Sequence, residues 1–121
     1  MATEGSDEVR VVEAFQRWLV AEGWTLVKKT DKDADVEAVR IDQRLIGEAK
    51  GRTSERGTDA DIAYGQLLRR MTFDEPTIRY AVIVPTSSVW HAERVPASVR
   101  RLLRIDLYEV TDDGQVRPRT A

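Results

Sequence analysis

The chain has 121 residues, a formal net charge of −2, 33% charged residues, no cysteine and one histidine, His91. The missing cysteines exclude thiolate zinc sites and cysteine nucleophiles, and a lone histidine argues against a multi-histidine metal centre or a Ser-His-Asp triad, so acid-base chemistry falls to carboxylates and lysines. No apolar run approaches the ~20 residues of a membrane span and no signal-peptide pattern opens the chain, so the expectation is a soluble cytoplasmic protein with one core of its own and no membrane partner.

Residues 1–5 read as a loose tail. Ser6, with Asp7 and Glu8 behind it, opens a helix that continues through Val9–Glu22 and stops at Gly23. Val12, Phe15, Trp18 and Leu19 make its expected apolar face, with Glu13 on the flank beside Val9 and Val20. Trp24–Thr30 alternates as a strand does, and Asp31-Lys32-Asp33 turns the chain into a hairpin.

That hairpin, residues 33–51, organises the rest. Ala34–Ile41 and Arg44–Lys50 are its strands, with Asp42-Gln43 as a two-residue loop. This register pairs Ile41 with Arg44, Val39 with Ile46, Glu37 with Glu48 and Asp35 with Lys50. Strand alternation then gathers Asp35, Glu37, Glu48 and Lys50 on one face. Glu37 opposite Glu48 calls for a compensating cation, either Lys50 or a bound metal. Mg²⁺ suits such a patch, because it binds through one or two carboxylates at roughly 2.0–2.1 Å and keeps places for water and phosphate.

Gly51–Gly57 is a polar loop, and Thr58 with Asp61 resembles a capping box opening a helix over Asp59–Thr72. Ile62, Ala63, Leu67 and Met71 form its expected buried face, with Leu68 beside them and Gln66 next to Leu67. Phe73–Thr77 turns at Pro76, and Ile78–Val84 reads as a strand buried on both faces. Ser87–Glu93 and Ala97–Leu103 read as short helices around Pro96, Ile105–Val110 as the last strand, and 117–121 as a loose tail. Trp90 and His91 read as structural; Arg100, Arg101 and Arg104 form either a phosphate-touching or a solvated helix face.

Asp35 followed by Glu48-Ala49-Lys50 on the next strand, within the order α-β-β-β-α-β-α-β, resembles the PD-(D/E)XK nuclease superfamily, which includes small Holliday junction resolvases and Mrr-type enzymes. The resemblance covers nearly the whole chain and implies an α/β, restriction endonuclease-like mixed central sheet flanked by helices, over 1–121 as a single domain. It further implies a metal-dependent DNA endonuclease in which Asp35, Glu48 and the Ala49 carbonyl hold Mg²⁺ or Mn²⁺ and Lys50 orients or deprotonates water. Asp35 is preferred to its rival Asp33 as the first acid. The family often carries a glutamate on the first helix that leans towards the metal, and Glu13 is the candidate, against a merely solvated flank. Gln66 matches the glutamine of several branches, although Arg70 stands where a tyrosine often follows. Small relatives act as symmetric dimers, so a homodimer is expected. Two rival readings remain: a nuclease-fold module without catalysis that binds nucleic acid or protein, and a structural domain whose acids do not converge.

Overall fold

The computed structural model describes residues 4–28, 34–71 and 77–119. Asp33, the strand end expected at 29–30 and the turn expected at 73–76 lie outside the described residues. Helix α1 (Glu4–Ala21) buries Val11, Ala14, Phe15 and Leu19, with Val12 and Trp18 only half-buried, so its inner face is turned from the expected one. Gly23, at φ +92°, ends it: the Gly23 amide donates to the Val20 carbonyl (3.1 Å) and the Trp24 amide to Leu19 (2.9 Å), the paired bonds of a Schellman cap.

Among the described residues six strands form one sheet in sequence order: β1 (Thr25–Leu26), β2 (Val36–Arg40), β3 (Gln43–Ala49), β4 (Ile78–Pro85), β5 (Ile105–Val110) and β6 (Val116–Pro118). The β1–β2, β2–β3 and β5–β6 pairs are antiparallel, while β3–β4 and β4–β5 are parallel. Helix α2 (Arg56–Arg70) connects β3 to β4; a 3-10 turn (Thr86–Ser88), α3 (Val89–Ala92) and α4 (Ala97–Leu102) connect β4 to β5. Both crossovers step the same way across the sheet, so right-handed connection places α2 and α3 on one face. They share a core with Ile46, Tyr80 and Val82, while α1 packs on the other face against Leu45, Ala49 and Ile83. The expected mixed sheet with flanking helices is thus the fold, with one strand more.

That extra strand takes up part of the stretch expected as a loose tail: Val116 pairs with Val110, and Pro118 sits at the sheet edge, where a residue without an amide is tolerated. Helix α2 also differs from expectation. Its buried residues are Ala60, Ala63, Tyr64 and Leu67, whereas Ile62 and Leu68 are exposed. The expected Thr58–Asp61 cap does not form, because the helix starts earlier, at Arg56, with Glu55 before it and no side-chain cap. Tyr64 is buried because its hydroxyl reaches the Ala92 carbonyl at 2.7 Å, tying α2 to α3. Arg100, expected on an outward cationic face, is buried, donating to the Val95 and Arg119 carbonyls at 3.1 and 3.3 Å.

Candidate active site

The hairpin turns over Ile41-Asp42, so that Arg40 pairs with Gln43, Glu37 with Ile46 and Val36 with Gly47. Each pairing is displaced by two residues from the expected one. An even displacement leaves every side chain on its face, so Asp35, Glu37, Ile46, Glu48 and Lys50 still share one. It does remove the clash expected between Glu37 and Glu48. Glu37 lies opposite Ile46 and is bonded through Oε2 to Arg44, from Nε at 2.7 Å and also from Nη2. Glu37 therefore belongs to a structural ion pair.

Asp35 sits immediately before β2, and its Oδ2 accepts the Ala49 amide at 2.9 Å. The Lys50 amide bonds the Ile83 carbonyl on the β4 side. Since amide and carbonyl of one strand residue point the same way, the Ala49 carbonyl faces the Asp35 side. Glu48 is 2% exposed, and its carboxyl stands within hydrogen-bonding reach of Asp35's. Burial, then that hydrogen bond, then the like charge of Asp35 push the Glu48 carboxyl up to about 8, against the opposing pull of Arg70 and Lys50. Arg70 Nη1 lies 2.9 Å from Glu48 Oε1 but donates to the Gln66 carbonyl, also at 2.9 Å. Oε1 is thus buried beside a cation yet has no aligned donor. The proximity of charge is real, but the angle denies it the strength of a hydrogen bond.

Gln66, one turn before Arg70, is half-buried with its own Oε1 lacking a partner. Glu13 is placed elsewhere: it is exposed and lines a cavity with Gln16, Arg17, Val20 and Leu26. Among the described side chains of α1, the acid that reaches the site is Glu8. Its carboxyl is raised by burial first, then by Asp35 and Asp59, and lowered by Lys50. Glu8 extends the buried stripe Val11, Phe15 and Leu19 by one turn, the spacing that would have singled it out. The start of α1 is clamped over the end of β3: a Cβ on Gly51 would lie 2.3 Å from the Glu8 backbone nitrogen, so only glycine fits there. The Arg52 amide also bonds the Asp7 carboxylate.

Among the described residues no group of three or more histidine, cysteine or acidic side chains is arranged to hold a metal ion. Two carboxylates and one carbonyl, with one Glu48 oxygen buried and lacking an aligned donor, nevertheless match what Mg²⁺ asks of protein, since it keeps much of its shell for water.

No family model and no curated protein matches the chain. Among solved structures, it is similar to an XisH family protein from Nostoc punctiforme PCC 73102, with TM-score 0.64 and 13% identity, over 89% of this chain and 96% of that one. The chain shares that fold. An fdxN element excision controlling factor protein from Anabaena variabilis is also similar, with TM-score 0.55 and 15% identity, over 90% of this chain and 96% of that one. At these identities the likeness to the XisH protein concerns the fold and carries no residue roles.

Proposed function

We propose that the chain is a metal-dependent nuclease that hydrolyses phosphodiester bonds in DNA. The observation that carries this reading is the convergence of Asp35 and Glu48 on a face that also holds Lys50, with a buried Glu48 oxygen left without an aligned donor. The fold and the name of one neighbour, an excision controlling factor, fit a role at DNA.

Asp35, Glu48 and the Ala49 carbonyl would hold Mg²⁺ or Mn²⁺. Such an ion lowers the pKa of bound water and offsets charge on phosphoryl oxygens. Lys50 orients the attacking water and adds a point cation at the scissile phosphate. Glu8 accepts hydrogen bonds from water beside Lys50, and Gln66 offers its unpartnered Oε1 to the same shell. We assign Glu8, rather than Glu13, as the contribution of the first helix. Two copies working as a homodimer would cut both strands of a duplex, and sedimentation at micromolar protein tests that assembly. No helix among the described residues is long and apolar enough to cross a membrane, and the cysteine-free chain suits the cytoplasm.

One observation favours a second reading. Arg70 sits beside Glu48 as a ready-made counter-ion, which suits a nuclease-fold module that binds nucleic acid or a protein without cutting. Incubation with plasmid, linear, branched and single-stranded DNA in Mg²⁺, Mn²⁺ or EDTA separates the two. Cleavage that needs the metal and is lost in Glu48→Gln supports the nuclease; binding with no cleavage of any substrate supports the module.

A further inference from the structure

Beyond the acidic site, the same rim of the sheet carries an aromatic-cationic surface that folding does not require. Trp90 is 68% exposed on α3, an unusual place for the largest side chain. The Arg94 guanidinium lies 5.5 Å from its ring centroid, and His91 meets the ring edge-on at 5.0 Å. Both partners also reach the start of α2, since a Cβ on Gly57 would stand 3.1 Å from Arg94 Nη2 and 3.4 Å from His91 Nδ1. That start is open: α2 has no side-chain cap, and an open cavity of about 540 Å³ lies over it, lined by Ser54–Thr58 and His91. His91 lines this cavity, and its Nδ1, on the Gly57 side, is buried without a partner.

The charges at this start are mixed. Arg56 and Arg94 stand against Glu55 and Asp59, Asp59 is engaged by the Thr53 hydroxyl, and Glu93 is drawn away to Arg119 at 3.3 Å, which leaves Arg94 beside the uncapped amides as the cation for an anionic occupant. The surface also adjoins the acidic site. Asp59, in the first turn of α2, is close enough to Glu8 to raise its carboxyl, and Glu8 in turn feels Asp35 and Lys50.

We propose that Trp90, Arg94 and the open start of α2 form a platform for a single DNA strand, the indole stacking an unpaired base while the guanidinium and backbone amides take neighbouring phosphates. A base offers a π-face of any sequence to an exposed indole, and an adjacent guanidinium strengthens the stack. Uncapped amides at the start of a long helix suit phosphate oxygens. The choice of DNA rests on the nuclease reading and narrows it to substrates with an unpaired strand, such as forks, flaps and branched ends.

The test is fluorescence anisotropy of the full chain in EDTA with labelled single-stranded, forked and blunt duplex DNA, comparing wild type with Trp90→Ala, Trp90→Phe and Arg94→Ala. Trp90→Ala should weaken single-stranded and forked binding about 10- to 100-fold and leave the blunt duplex unchanged, with Trp90→Phe retaining most of the affinity. Arg94→Ala should reduce the salt slope of log K by about 0.7. Circular dichroism of Trp90→Ala should match wild type, since the side chain is exposed. Trp90→Ala binding single strands as wild type does, or losing the blunt duplex equally, overturns the platform. Self-association lost in Trp90→Ala alongside unchanged DNA binding also overturns it and assigns the patch to a second copy. Trp90-dependent binding with no cleavage in Mg²⁺ upholds the platform and fails the nuclease; cleavage indifferent to Trp90 does the reverse.

Discussion

Glu37 and Glu48 lie on one face of the same hairpin, 4% and 2% exposed, each with a buried Oε1 that lacks a hydrogen-bond partner, and they differ in what else holds the carboxylate. Arg44 aligns two donors on Glu37, whereas Arg70 Nη1 stands beside Glu48 while donating to the Gln66 carbonyl, and Asp35 brings a second carboxyl to Glu48. Burial alone does not mark a functional acid. A buried acid beside a misaligned cation and facing a second acid is held in a state that a ligand can relieve.

The sharpest way to break this comparison is to neutralise each acid in turn. Asp35→Asn, Glu48→Gln and Lys50→Ala should each lower metal-dependent cleavage by at least about 100-fold, while Glu37→Gln should cleave normally once folded. In EDTA, Asp35→Asn and Glu48→Gln should bind DNA as well as wild type or better, because each removes a negative charge facing phosphate. Glu37→Gln should instead lower stability by about 1–2 kcal/mol in urea unfolding, having left Arg44 with a weaker acceptor. Cleavage that falls in Glu37→Gln as far as in Glu48→Gln would erase the distinction.

Glu48 should also declare itself with pH. Glu48 is raised from 4.5 to about 8, so the folded chain holds that proton more tightly than the unfolded one. Its contribution to stability is full below about pH 4.5 and is lost as pH rises through about 8. In EDTA the melting temperature of wild type should therefore fall over that window more steeply than that of Glu48→Gln. At pH 8, Mg²⁺ should raise the wild-type melting temperature and leave Glu48→Gln unmoved, because binding to the native state stabilises it. Parallel pH profiles for the two proteins would refute the assignment.

A smaller effect sharpens the boundary of the site on α1. Glu8→Gln should slow cleavage about 10-fold, whereas Glu13→Gln, on an exposed cavity wall, should be indistinguishable from wild type. The reverse pattern would restore Glu13. The choice between them shows what was legible in the sequence. Period-two alternation is robust: the register slipped by two residues, yet Asp35, Glu48 and Lys50 kept their common face because the displacement was even. Helical faces are less forgiving, since each residue turns the wheel by about 100°. Reading Val12 rather than Val11 as buried on α1, and Ile62 rather than Tyr64 on α2, moved the inner face and with it the acid that reaches the site. Arg100 was illegible for another reason: an arginine filling backbone carbonyls at 3.1 and 3.3 Å looks in sequence like one facing water.

The slipped register itself has a local cause, and that cause yields the mildest prediction. Turn chemistry favours polar residues, so Asp42-Gln43 reads as the loop; the chain instead turns at Ile41, which adopts φ +49° and is 96% exposed. A β-branched side chain pays sterically for that left-handed conformation and recovers nothing by burial. What holds it there is the pairing behind it: the observed register sets Glu37 across from Ile46, bonded to Arg44, and keeps Glu48 out of its path, which the alternative register would not. Ile41→Asn places a residue that tolerates positive φ at the turn and should raise stability by about 1 kcal/mol, read as a higher urea midpoint at unchanged slope, with cleavage unaltered. A lower midpoint would mean that the hairpin tip is not strained and that the register is set elsewhere along β2 and β3.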